Sequence, residues 1–185
     1  MRALVLAMLP FAVACSSSPV SSGTSAAQVS VLSNPSVVPT GLIFRNAVSA
    51  IGAVTVTVDS EKPIVVSRII FHLNSINSLA LVRIEDSCDG KVLFGPVNMK
   101  TSLESPSDEI VFNDTVLLSP GKTTLIIKAF IGEGNWQGGE VLNLATNPNV
   151  DWEAVVPGVG PVSWTSARIV TSNITVSGTL YPGLK

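Results

Sequence analysis

Residues 50–59 read Ala50-Ile-Gly-Ala-Val-Thr-Val-Thr-Val-Asp59. Val54, Val56 and Val58 point one way, while Thr55, Thr57 and Asp59 point the other. That is the period-two pattern of a strand with one dry face and one wet face. Ser60-Glu-Lys-Pro63 supplies the turn that ends it. A second strand follows over residues 64–73. Strict alternation puts Val65, Ile69, Phe71 and Leu73 on one face with Ser67. It puts Arg68 and His72 on the other with Ile64, Val66 and Ile70, so the second face is expected to be partly covered.

The same pattern repeats on both sides of this pair. Upstream, residues 29–33 (Val-Ser-Val-Leu-Ser) form a short first strand, broken by Asn34-Pro35 and Pro39-Thr-Gly41. Residues 42–45 are a short continuation on the other sheet. Downstream, residues 79–86 are a strand with Val82 and Ile84 inward and Arg83 and Glu85 outward. Asp89-Gly90 is a hairpin signal joining it to residues 92–94. After a loop over 98–108, residues 109–116 form a strand centred on Ile110, Phe112 and Val116. Ser119-Pro-Gly-Lys122 has the Pro-Gly centre of a type II turn. Residues 123–131 are a strand with Leu125, Ile127, Ala129 and Ile131 on one face and Lys128 outward. A glycine-rich tip (132–139), a strand (141–146), a loop around Trp152 (147–160) and two strands (162–165 and 168–177) complete the series. Apart from Pro10, the 12 prolines fall at these turns and strand ends. Nine or ten short strands without a helix predict an all-β chain folded as a two-sheet antiparallel β-sandwich, immunoglobulin-like or jelly-roll. A true immunoglobulin domain is not expected, because no Cys–Trp–Cys spacing exists.

Composition narrows the use of such a fold. The chain of 185 residues is 46% hydrophobic and only 13% charged, with a mean hydropathy of +0.48. Half-buried strands account for this. A membrane-spanning helix needs about 18 or more consecutive apolar residues, and none follows residue 14. The formal charge is −2, and the basic residues are scattered from Arg45 to Lys185. Phosphate binding needs a concentrated basic face, so nucleic acid is excluded as a partner.

The N-terminus carries the strongest functional signal. Arg2 precedes an apolar run of about a dozen residues, as in a signal peptide, and Ala12-Val13-Ala14-Cys15 closes it. Small residues at 12 and 14 suit ordinary signal peptidase. The same four residues resemble the bacterial lipobox, although Ala12 stands where leucine is favoured. This predicts a signal peptide (1–14), a lipidated Cys15 with a flexible Ser-rich linker (15–28), a sandwich (29–178) and a tail (179–185). Without Arg2, ten basic side chains face thirteen acidic ones, a charge of −3. By the resemblance, Ser16 after the cysteine implies an outer-membrane or cell-surface location. Cys88 is the only other cysteine. With ordinary cleavage the two could pair, so anchor and disulfide exclude each other.

Val54–Val58, Val65–Phe71, the segment VFNDTVLLSPGKTTLIIKAFI (111–131) and the closing Asn-Ile-Thr-Val-Ser-Gly (173–178) resemble a β-sandwich module of bacterial cell-surface and S-layer-associated proteins. The resemblance implies a structural role at the cell surface. The chain departs from it in carrying one copy.

Catalytic signatures are weak. His72 is the only histidine, and no G-x-S-x-G elbow accompanies it. The acids Glu85, Asp86, Asp108, Glu109, Asp114, Asp151 and Glu153 lie at strand ends and turns, where carboxylates are solvated rather than paired for glycoside hydrolysis. Asp86-Ser-Cys-Asp89-Gly90 lacks the alternate-position ligands and distal Glu of a calcium loop. The expectation is a non-enzymatic protein without cofactor or metal. The tryptophans offer one alternative. Trp136, between Asn135 and Gln137 in the glycine-rich tip, has the ring and amide neighbours of a sugar-stacking site, while Trp152 and Trp164 suit the end of a core. Three readings follow. The first is a lipid-anchored structural, adhesive or assembly protein meeting surface glycan or other surface proteins. The second is a carbohydrate-binding module using Trp136. The third is a filament subunit donating residues 29–33 to the sheet edge of the next copy.

Overall fold

The computed structural model describes residues 27–38, 42–43, 47–73, 79–99, 108–131 and 141–176. In chain order the elements are β1 (Gln28–Ser33), β2 (Leu42–Ile43), β3 (Ala47–Asp59), β4 (Ile64–Leu73), β5 (Leu79–Asp86), β6 (Val92–Val97), β7 (Asp108–Phe112), β8 (Val116–Leu118), β9 (Gly121–Ile131), β10 (Val141–Thr146), a single turn α1 (Pro148–Asp151), β11 (Trp152–Val156), β12 (Gly160–Pro161), β13 (Ser163–Trp164) and β14 (Ile169–Val176). The chain is all-β and folds as a two-sheet sandwich. Sheet A runs β13-β1-β3-β9-β5-β6, and sheet B runs β12-β11-β4-β10-β14-β2. β7 and β8 line the other side of β4. Pairing is antiparallel except at two short places, β1 with β13 and β14 with β2.

The opening stretch forms the middle of sheet A. β3 runs antiparallel to β9 from Ala47↔Ile131 to Val58↔Gly121. Val54, Val56 and Val58 are at most 1% exposed, and Leu125, Ile127, Ala129 and Ile131 meet them fully buried. Across the interior lie Ile69, Phe71 and Leu73 of β4 with Ile110 and Phe112 of β7. Each such side chain contributes roughly 1.5–3 kcal/mol on burial. Phe71 and Phe112 meet edge-on at 6.5 Å, and Phe112 meets Phe94 at 6.2 Å. One aromatic chain thus crosses between the sheets.

Bulges correct the strict alternation. Glu153 pairs Arg68 and Ala154 pairs Val66, so Ser67 is the extra residue on β4. One added residue reverses the phase of a strand. Ile64 and Val66 therefore face the core, and so do Ile69, Phe71 and Leu73. Val65 and Ser67 are left outside rather than with Ile69. A second irregularity lies between Ala50 and Gly52 in β3. A third lies between Ala80 and Arg83 in β5, where Leu81 has φ +51° and its N–H donates to Asn98 Oδ1 at 3.0 Å.

Three further boundaries differ from the sequence reading. The loop expected over 147–160 holds α1 and β11. Asn147 caps α1, its side chain accepting from Asn149 N, and Pro148 opens the helical turn. The strand expected over 109–116 divides into β7 and β8. β1 begins at Gln28 with Ala27 buried before it, since Ser163 N donates to Ala27 O at 2.9 Å. β1 thus starts one residue earlier than expected.

The two sheets approach closely where β3 passes β14. A Cβ on Gly52 would lie 2.5 Å from Thr171 Oγ1 and 3.1 Å from Leu144 Cδ2. Thr171 is fully buried and donates to Leu144 O at 3.0 Å. Among the described residues the sheet edges are short or interrupted. β2, β12 and β13 have two residues each. β6 carries Pro96 and two register shifts. Residues 113–115 divide β7 from β8. Such edges resist addition of a foreign strand.

Candidate functional site

The outer face of sheet B is built by the Ser67 bulge. Val65 pairs Leu117 of β8 on one side and Val155 of β11 on the other, and Val155 pairs Pro161 of β12. Side chains paired across strands share a face. Pro161, Val155, Val65 and Leu117 therefore form one apolar row across four strands, with Val155 45% and Leu117 60% exposed. The bulge brings Arg68 to the same face just above Val65. Its Nη1 lies 3.1 Å from Glu153 Oε1 in an exposed ion pair. Sequence reasoning missed the row because alternation paired Val65 with Ile69 and left Val155 in a loop. The period-two pattern of Trp152-Glu-Ala-Val-Val156 was the available signal.

Farther along this face stands His72, turned outward as expected but not isolated. Its Nε2 lies 3.0 Å from Asp151 Oδ1, and its Nδ1 lies 3.8 Å from Glu109 Oε1. Asp151 is buried, and its Oδ2 accepts from Asn147 N at 2.6 Å. The imidazole therefore ties β4 to α1 and, more loosely, to β7. With Nε2 held by the aspartate and a carboxylate facing Nδ1, it has no hydroxyl or thiol to activate among the described residues.

Trp152 is a core residue. Its Nε1 donates to Thr146 Oγ1 at 2.8 Å, and Thr146 Oγ1 donates to Ile70 O at 2.7 Å. Its ring meets Phe71 at 6.3 Å and Trp164 at 5.7 Å, both edge-on. Trp152 thus closes the core, with Trp164 half-buried against it. Trp136, Asn135 and Gln137 lie outside the described residues, and so does Cys15.

The remaining acids have local tasks. Glu85, 6% exposed on the outer face of sheet A, accepts from Lys128 Nζ and from Arg83 Nε at 2.7 Å. Burial alone would raise its carboxyl. The hydrogen bonds and charges of Lys128 and Arg83 outweigh burial and hold it below the ordinary carboxylate value. Asp86 Oδ1 accepts from Cys88 N at 2.8 Å and Asp89 Oδ1 from Lys91 N at 2.9 Å, with Gly90 at φ +72°. These bonds make the expected hairpin turn. Asp114 Oδ2 accepts from Gly95 N at 2.7 Å, latching the β7–β8 break to β6. Among the described residues no cluster of three His, Cys, Asp or Glu could hold a metal ion. Cys88 is exposed in the hairpin turn.

The proposed donor strand is used within its own molecule. β1 pairs residue for residue with β3 from Gln28↔Asp59 to Ser33↔Val54, and Val29 and Val31 are fully buried. Donating it would strip both pairings and empty two core positions.

No protein-family model and no curated protein matches the chain. Among solved structures it is similar to one described as "AvmM Catalyzes Macrocyclization in Alchivemycin A Biosynthesis", at 10% identity over 84% of this chain and 91% of that one, with a TM-score of 0.40. It is similar to a chain of a type I cohesin–dockerin complex from Clostridium thermocellum, at 8% identity over 86% of this chain and 99% of that one, TM-score 0.37. It is also similar to the CooA pilin subunit from enterotoxigenic Escherichia coli, at 12% identity over 83% of this chain and 99% of that one, TM-score 0.32.

Proposed function

We propose that the chain is an exported, non-catalytic β-sandwich of the cell envelope that works by presenting a sheet face to a partner. One observation carries this reading. The apolar row Pro161–Val155–Val65–Leu117 lies open on sheet B, while the edges that could accept a strand are short or interrupted. A face is therefore better suited than an edge to meeting a partner. Glu85, Asp86, Asp89, Asp114, Asp151, Glu153 and His72 support the same view, because each holds a turn, a strand junction or an ion pair.

In this proposal the N-terminal segment carries the protein to the cell surface or outer membrane, with lipid on Cys15 as its anchor. The anchor rests on the Ala12–Cys15 motif. Its rival is ordinary cleavage followed by pairing of Cys15 with Cys88. One experiment separates them. Palmitate label that vanishes in Cys15→Ser supports the anchor. A protein that takes no label refutes it and leaves the exported sandwich in place. The glycan alternative rests on Trp136 alone, so unchanged glycan-array binding by Trp136→Ala would remove it.

A further inference from the structure

The row on sheet B is balanced about the line between β4 and β11. To one side stand Val65, Leu117 and Arg68. To the other stand Val155, Pro161 and Glu153. A two-fold axis along that line, lying in the plane of contact, places each residue over its counterpart in a second copy. Val65 then lies over Val155, Leu117 over Pro161, and Arg68 over Glu153. An isologous contact demands this self-complementarity in shape and charge. From the pairing of an apolar row with one cation and one anion set symmetrically beside it, we infer that the partner of this face is a second copy of the same chain. The inference deepens the face-presenting role proposed above and rests on it.

The patch is small. Four strands about 4.8 Å apart make the row roughly 14 Å wide, and the ion pair adds a second row about 7 Å away. Together they cover roughly 200 Å², a quarter of the ~800 Å² per partner of a standard interface. The contact is therefore weak in free solution, with a Kd on the order of 1 mM. It becomes populated where tethering raises the effective concentration to the millimolar range.

The test uses charge reversal. Arg68→Glu leaves two acids facing two acids across the axis, and Glu153→Arg leaves two cations facing two cations. Each variant alone is expected to stay monomeric in sedimentation equilibrium at 1 mM. Mixed, they set the two acids of one copy against the two cations of the other, although the pair within each molecule is repulsive. The mixture should associate about tenfold more tightly than either component. Leu117→Ser in both should abolish that association. Arg68 and Glu153 are exposed, at 42% and 60%, so melting temperatures of the reversed variants should stay within about 3 °C of the parent protein. A mixture no tighter than its components overturns the inference. Association that falls with Leu117→Ser but ignores the charge reversals also overturns it, and moves the contact to the β8 edge. No membrane enters these measurements, so their failure leaves the anchor standing, and loss of the palmitate label leaves the contact standing.

Discussion

Replacing Gly52 by alanine tests the close approach of β3 and β14 across the interior. The added Cβ would lie 2.5 Å from Thr171 Oγ1 and 3.1 Å from both Thr171 Cβ and Leu144 Cδ2. Thr171 cannot retreat freely, because its hydroxyl is hydrogen-bonded to Leu144 O and the side chain is fully buried. Forcing a methyl into such a site costs about 2 kcal/mol. Displacing the hydroxyl adds about 1 kcal/mol. Removing glycine from a strand returns about 0.5–1 kcal/mol. The net is a loss of about 2 kcal/mol, or roughly 4–8 °C in Tm for a domain of this size. Urea and thermal unfolding followed by circular dichroism would measure it. Thr171→Ala removes the hydroxyl that the new Cβ meets most closely and frees the site to adjust. Gly52→Ala/Thr171→Ala should therefore be no less stable than Thr171→Ala alone, a coupling of about 2 kcal/mol in a double-mutant cycle. A neutral or stabilising Gly52→Ala, or additive losses in the double variant, would refute the reasoning.

Glu85→Gln should cost about 2 kcal/mol at neutral pH, since it removes the charge from two charge-assisted hydrogen bonds. The native carboxyl sits below its ordinary value, so its contribution is present above the unfolded-state value. That contribution is lost as pH falls through the native one. Stability of the variant should accordingly fall less steeply with acid than that of the parent, and parallel curves in chemical unfolding at stepped pH would contradict this. Leu81→Asn should raise stability by up to about 1 kcal/mol, because asparagine tolerates the left-handed backbone better than leucine. A lowered urea midpoint would show that Leu81 is held by contacts rather than strained. Asp114→Ala should cost about 1–2 kcal/mol by leaving Gly95 N without its carboxylate. It should also speed hydrogen exchange at Gly95 ahead of β9, and unchanged exchange there would remove the latch.

Much of the fold was legible from alternation. Val54, Val56 and Val58 against Thr55 and Thr57, and Leu125 to Ile131 against Lys128, were placed on the correct faces. Alternation counts residues, so it fails wherever one is added. Ser67 and Leu81 carry no composition that marks a bulge, although Gly52 beside Ile51 does, and the Ser67 error hid the apolar row of Val65 and Val155. Asn147-Pro148, by contrast, carries a capping signal for α1 that the loop reading of 147–160 passed over. For the candidate site, residue types were readable and juxtapositions were not. Nothing local says that Asp151 will reach His72 across 79 positions of chain, or that Arg68 will meet Glu153.

The placement of β4 at the heart of sheet B has a consequence in time. Its described partners, β7, β8, β10 and β11, follow it in the chain. At about 5–20 residues per second, β11 leaves the ribosome roughly 5–20 s after β4. Until then the edge of β4 that β11 later pairs, from Val65 to Ile69, stays open. A hairpin protein closes its sheets as it grows, whereas this one must wait.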